Sequence, residues 1–406
     1  MRKKWKRILI AINFIFFADL VYCQNDIQTQ IQSSFHQVNS IDPKQKDFSD
    51  LESFGKAIAN SRIVFLGEQD HGDAPTFLAK TRLIEYLHEK MGFDVLVFES
   101  DFWGLNTIWD NHLSDSFSFE QIKNNTYGIW SRCVQTQELY SYLEQTLKTN
   151  DPLIVSGMDC RHALPYSTNN YTKAITSFTR SQSVLTADTV SLNTFLKLTN
   201  ELIEKEYSIK TPIEQQQRFV QYLDKITPNI TDSFWKQEFI NLKGFALNSW
   251  NFNYKDTTRD ITMAQNLLWL TNEKYKGKKI IVWAHSAHIA MNTNKVKNEN
   301  STSMGNEVSK TLKDSIYILG FSSLTGRAGR ITFAKKYTVQ KAKKDGFESW
   351  VNTMNYDYGF VNFKPITNST DFYMKGLGHT AEKTNWTKVF DGVFYIKNMY
   401  PCDKTN

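Results

Sequence analysis

Apolar residues along this chain fall into two patterns. Arg62-Ile63-Val64-Phe65-Leu66-Gly67, Phe93 to Phe98, Leu153 to Met158 and Lys279 to Ala284 are short apolar runs, rich in β-branched residues and bounded by glycine or polar side chains. Such runs predict strands covered on both faces, because a strand with one face in water alternates apolar with polar residues. Pro75 to Lys90 follows the first run with the spacing and amino-terminal proline of a helix. Strands that alternate with helices predict an α/β fold with a mostly parallel central sheet flanked by helices. From about 167 to 276 the strand runs stop. Glu214 to Lys225 and Arg259 to Glu273 there carry apolar stripes at helical spacing, so an inserted helical subdomain is expected. Beyond His288, strands are expected at Ser315 to Phe321, Gly329 to Phe333 and Val389 to Ile396, while Tyr337 to Thr384 shows no period that places it.

The amino end changes the picture. Met1-Arg2-Lys3-Lys4-Trp5-Lys6-Arg7 is followed by a mostly apolar stretch from Ile8 to Val21, the pattern of a secretory signal peptide over residues 1–23 with the mature domain, 24–406, starting at Gln24. An exported protein, periplasmic or extracellular, is expected. A lipoprotein box at Leu20-Val21-Tyr22-Cys23 is the competing reading, and bulky Tyr22 fits it poorly; membrane association is expected only through the leader or such an anchor. The net charge of +6 includes the five basic residues of the leader, so the mature domain is close to neutral and offers no electrostatic case for nucleic acid. Cys133, Cys160 and Cys402 are too few for a disulfide framework, although one bridge fits an oxidising compartment.

In open parallel sheets, reactive side chains gather beyond the carboxyl ends of the strands, where the connecting loops converge. The first run leads into Glu68-Gln69-Asp70-His71, the second into Glu99-Ser100-Asp101, the third into Asp159-Cys160-Arg161-His162 and the fourth into His285-Ser286-Ala287-His288. A single acid in such a place is often a helix cap, and a single histidine is often a satisfied core residue. Four strand ends carrying them together point to one cleft. Histidine beside carboxylates suits a general base, since its unperturbed pKa lies near neutrality and a carboxylate orients the ring. Glu68 and His71 can share a turn, with Glu99, His285 and His288 arriving from other strands. The chain has no G-x-S-x-G elbow, so water is the expected nucleophile.

The same Glu-x-x-His, second Glu and His-x-x-His are acceptable zinc or manganese ligands, so spacing leaves a cofactor-free site and a divalent-metal hydrolase or peptidase both open. A non-catalytic envelope protein that grips a ligand with its helical insertion is a third reading. Arg132 suits an anionic group or an ion pair, and Asp159 a cap or the orientation of a histidine. Trp103, with Phe102 and Trp109, is expected to line an apolar pocket. Arg132, Asp159 and Trp103 are therefore the candidate substrate contacts. Cys133 and Cys160 flank the site in sequence and are the pair considered for a bridge.

These residues carry a family likeness. Phe65-Leu66-Gly67-Glu68-Gln69-Asp70-His71-Gly72 resembles the G-E-x-x-H-G opening of erythromycin esterase-like proteins. Val97-Phe98-Glu99, Trp130-Ser131-Arg132, Gly157-Met158-Asp159, Arg259-Asp260 with Met263-Ala264 and Asn266-Leu267, Trp283-Ala284-His285-Ser286-Ala287-His288 and Ser303-Met304-Gly305 are similar to later motifs of that family, in order. The resemblance implies an enzyme that hydrolyses a small-molecule ester or lactone, the best-known members opening macrolide rings and conferring antibiotic resistance. It also implies His71 as general base, with Glu68, Glu99 and His285 or His288 as essential companions. Gln69-Asp70 and Ser286 depart from the usual residues of that family, and these departures bear on the substrate more than on the ester chemistry.

Overall fold

The computed structural model describes residues 27–58, 60–182, 189–206, 210–251, 257–292 and 302–405. The leader lies outside them. The central sheet has the strands β1 (Phe35–Val38), β2 (Ile63–Leu66), β3 (Val95–Asp101), β4 (Ile154–Asp159), β5 (Ile280–Trp283), β6 (Ile316–Ala328), β7 (Tyr337–Thr338), β8 (Tyr358–Asn362) and β11 (Gly392–Met399). β9 (Phe372–Met374) and β10 (Glu382–Thr384) form a separate pair. Strand order in the sheet is β1-β8-β11-β6-β2-β5-β3-β4, with β7 on β6.

From β11 through β4 every pairing is parallel, and β1, β8 and β7 pair antiparallel at the margins. The mostly parallel α/β architecture expected from the apolar runs is the one present. Alternate residues of each run go to opposite faces. Val64, Leu66, Leu96, Phe98, Ile281 and Trp283 join one core cluster. Ile63, Phe65, Val95, Val97, Ile280 and Val282 join the other. Both faces are thus covered, as unbroken hydrophobicity requires.

The helices that bear on the site are α1 (Ala74–Met91), α2 (Phe102–Asp110), α3 (Gly128–Ser131), α4 (Pro165–Ser181), α5 (Thr189–Lys205), α6 (Ile213–Ile226), α7 (Ser233–Trp250), α8 (Thr258–Trp269) and α9 (Ser286–Ile289). Between β4 and β5 the described chain holds helices and no strand, and its inward residues form a third core cluster with Phe195, Phe219, Leu223 and Phe239.

Gly329 to Phe333 is not a strand. β6 already runs to Ala328, and Gly329, at φ +139°, then turns the chain so that Phe333 stands 61% exposed. Tyr337 to Thr384, which no period placed, supplies β7 to β10 and a short helix, Phe347–Asn352.

Candidate active site

β2, β5, β3 and β4 are successive parallel neighbours, so their carboxyl ends share one edge at the ~4.8 Å spacing of paired strands. That placement brings Glu68, His285, Glu99 and Asp159 together. His71 Nδ1 lies 2.7 Å from Glu68 Oε1, and the same oxygen accepts from Trp130 Nε1 at 2.9 Å. Lys80, on α1 and fully buried, donates to Glu68 Oε2 at 2.8 Å. Burial pushes the Glu68 carboxyl up, yet Lys80 and His71 outweigh it and hold the group below its ordinary range. An ionised Glu68 accepts a hydrogen bond from the Nδ1–H of His71. That leaves Nε2 of His71 with no bonded partner among the described residues, on a ring that lines the cleft.

His285 sits against it, with ring centroids 4.8 Å apart. Both of its nitrogens are committed: Nδ1 accepts from the Ala287 N–H at 3.0 Å, and Nε2 donates to the Gln69 carbonyl at 3.1 Å. Burial, reinforced by the neighbouring His71, draws its pKa down to about 3, so the ring is neutral and its tautomer fixed. A ring held in this way supports its neighbour and has no nitrogen to offer a substrate.

Glu99 accepts from the His285 backbone N–H at 2.9 Å and from Arg259 Nη2 at 2.8 Å. Although burial pushes the Glu99 carboxyl up, His288, Arg259 and His71 hold it well below the usual range. His288 Nδ1 meets Asp260 Oδ1 at 2.8 Å, and its Nε2 lies 3.4 Å from Glu99 Oε1. Burial lowers the pKa of His288, but Asp260 and Glu99 raise it further, and the net direction is upward. Asp159 orients no histidine. It accepts from Arg259 Nε at 3.0 Å, from Arg259 Nη2 at 2.8 Å and from the Tyr127 hydroxyl at 2.8 Å.

The cleft, about 300 Å³, is lined by His71, Glu99, Tyr127, Arg132, Arg161 and Arg259 with parts of α3 and the turn at Arg330. A wider hollow of about 570 Å³ lies against α6, α7 and α8, but no imidazole lines it. His71, Glu99 and the arginines line the smaller space.

Several sequence expectations fall elsewhere. Trp103 is buried beneath the helical insertion against Tyr166 and Tyr171, and lines no part of the cleft. Phe102 packs on Phe234 and Trp269, and Trp109 belongs to the core. Asp101 is the cap of α2, accepting from the Gly104 N–H at 2.8 Å; that capped turn carries the three aromatic residues away from Glu99. His162 is buried against Glu238 and stacks on Tyr171. Cys160 is a free, buried thiol, and the bridge is Cys133–Cys402.

Conversely, Lys80, Trp130, Tyr127, Arg259, Asp260 and Arg330 escaped the sequence candidates. Arg259-Asp260 and Trp130 stood in quoted motifs, which was the available signal; Lys80 and Arg330 had none. The donors also do not suit a divalent ion. Glu68 is occupied by three donors, Glu99 by a guanidinium and an N–H, and His285 at both nitrogens, and no metal-holding group of three such side chains occurs among the described residues.

A family model described as "Erythromycin esterase" matches residues 88–399. The chain belongs to the erythromycin esterase family. The matched segment includes Glu99, Arg132, Asp159, Arg259, His285 and His288 and begins after the His71 turn. Among curated relatives, the "Putative hydrolase YbfO" of Bacillus subtilis (strain 168) is 25% identical over 405 residues, covering 89% of each chain. "Erythromycin esterase type II" of Escherichia coli is 20% identical over 390 residues, 86% of this chain and 93% of that one. Among solved structures, a Bacillus cereus protein aligns with TM-score 0.76 at 16% identity, over 94% of this chain and 99% of that one. A variant of the erythromycin esterase EreC in its open conformation aligns with TM-score 0.68 at 15% identity, over 92% and 98%. These structural likenesses establish the fold, and membership of the family supports a hydrolase.

Proposed function

We propose that the chain is a carboxylic ester or lactone hydrolase in which His71 activates water. The observation that carries this reading is the buried chain Lys80–Glu68–His71, which fixes the imidazole proton on Nδ1 and leaves Nε2 for the cleft. Nε2 takes a proton from water as its oxygen attacks the acyl carbon. The tetrahedral oxyanion forms beside the cationic wall that contains Arg259, and its collapse expels the alcohol, which takes the proton back from His71. His285 and Glu99 hold this face in shape, the first by packing on His71 and the second by anchoring Arg259 and the His285 backbone.

The test is a panel of simple esters and macrolides offered to the purified mature protein, with and without chelator, in the wild type and in His71→Asn. Turnover that survives chelator and is lost in the variant is expected. Loss to chelator with restoration by one metal would overturn the cofactor-free reading, and no turnover of any ester would favour a binding protein.

We also propose export. The basic and apolar leader and the Cys133–Cys402 bridge both support an oxidising compartment. Mass spectrometry of the secreted chain should place its first residue at Gln24, and retention of Met1 would refute this.

A further inference from the structure

Four arginines border the cleft, Arg132, Arg161, Arg259 and Arg330, and Glu99 is the one carboxylate among the lining residues. Apart from Glu99, the acids that pair with these arginines are not among the lining residues. Arg259 is held by Glu99 and Asp159, and Arg161 by Glu206 at 2.5 Å while it lies over the Tyr127 ring. Arg330 gives Nε to Asp70 at 2.6 Å, and the Tyr337 hydroxyl holds the other oxygen of Asp70 at 2.6 Å. Arg330 and Tyr337 also hold the Asp70 carboxyl down at about 2 against the upward push of burial, so this clamp stays charged at any ordinary pH.

Arg132 differs from the other three. It is exposed at the cleft, and no carboxylate lies within ion-pair distance of it among the described residues. Its guanidinium rests on the backbone at Gly128, where a β-carbon would come within 2.5 Å of Nη2 and 2.6 Å of Nε. A glycine at the start of α3 therefore sets where this charge lies. A planar guanidinium with open donors, beside two more whose paired acids are outside the cleft lining, matches an oxyanion in bidentate geometry.

We propose that the substrate carries an anionic substituent near its scissile ester, a carboxylate, sulfate or phosphate monoester, seated on Arg132 in the cleft that Arg330 and Arg161 also line. This rests on the hydrolase reading above and narrows it to a charged class of ester. A cationic cleft of this kind also concentrates anionic substrates and loses that advantage as salt screens it.

The matched probes are 4-nitrophenyl hydrogen adipate and its neutral methyl ester. The wild type is expected to favour the anionic ester by about tenfold or more in kcat/KM, the scale of one charge-assisted hydrogen bond, with the preference shrinking as sodium chloride rises. Arg132→Gln should lower the anionic-to-neutral ratio by about the same factor, chiefly through KM. Gly128→Ala should shift the ratio in the same direction by displacing a flexible side chain while the fold stays intact. Calorimetry of adipate, sulfate and inorganic phosphate binding to the His71→Asn variant, with and without Arg132→Gln, reads the anion seat without turnover and separates the three sources of the charge.

A ratio near one in the wild type that Arg132→Gln leaves unmoved would overturn the proposal, as would anion binding indifferent to Arg132. If neither ester is cleaved, the hydrolase reading falls, and calorimetry still decides the anion seat.

Discussion

The floor and the rim of the cleft are built on opposite principles. On the floor, Glu68, Lys80, Trp130 and Glu99 are buried, and each acid is held by several donors. On the rim, Arg132 is exposed with no acid beside it among the described residues, and Arg330 keeps 37% of its side chain in solvent while paired through Nε to Asp70. Buried charges have a few permitted arrangements, because an unmade hydrogen bond there costs the full desolvation of the group. Exposed charges cost little to move. The floor is thus suited to hold one proton in one place, and the rim to be altered as substrates change.

The largest effect should come from the floor's working nitrogen. His71→Ala is expected to lower kcat/KM by ~10² to 10⁴ with little change in melting temperature, checked by kinetics beside a thermal melt; activity within a few-fold of wild type would take the general base elsewhere. Glu68→Gln should be felt as a loss of stability, on the order of 3 to 5 kcal/mol, because it strands the buried Lys80 ammonium. Urea unfolding measures it, and a shift below ~1 kcal/mol would place this pair with the rim.

The pH response offers a finer division. Burial, against the pull of Glu68, draws the Lys80 ammonium down from the usual 10.5 to about 8. Between those values the folded chain has released a proton that the unfolded chain still holds, so this residue's contribution to stability rises with pH across the window. Activity should fall over the same window as Glu68 loses its cationic partner. Melts and kcat/KM compared between the wild type and Lys80→Met should show these opposite slopes in the wild type alone, and parallel slopes would refute the assignment. The smallest effect belongs to the rim: Tyr337→Phe removes one hydrogen bond to Asp70 and should cost about 1 kcal/mol in a denaturant series. A larger loss would show the rim to be as rigid as the floor.

The legibility of the sequence follows the same division between local and distant causes. β2 to β5 were readable because full burial on two faces writes itself as an unbroken apolar run. β1 and β8 were not, since Phe35-His36-Gln37-Val38 and Tyr358-Gly359-Phe360-Val361-Asn362 are short edge-side strands whose pairing joins distant segments. At the site, His71 and the two later histidines stood in motifs at strand ends. Lys80 did not announce itself, because nothing in an amphipathic helix tells which lysine meets a glutamate twelve residues earlier. Arg259 finds its acids 100 and 160 positions away. Trp103 misled for a local reason: proximity to Glu99 in sequence was read as proximity in space, and the cap at Asp101 turns the chain between them. Cys160 is the sequence neighbour of Cys133 that invites a bridge, whereas the partner of Cys133 is 269 residues on.

That partner sits in a strap that joins the two turns on which the cleft depends. Cys402 N–H bonds the Gly72 carbonyl at 2.8 Å, one residue past His71. Asp403 accepts from Val134 N–H at 2.8 Å, and Thr405 N–H reaches the Arg132 carbonyl at 2.9 Å, on either side of the disulfide at Cys133. Residues 402–405 thus staple the His71 turn to the Arg132 turn. Trimming these residues, fusing a bulky tag directly after them, or bathing the protein in thiol reductant would register as a kinetic defect at a centre none of those treatments touches.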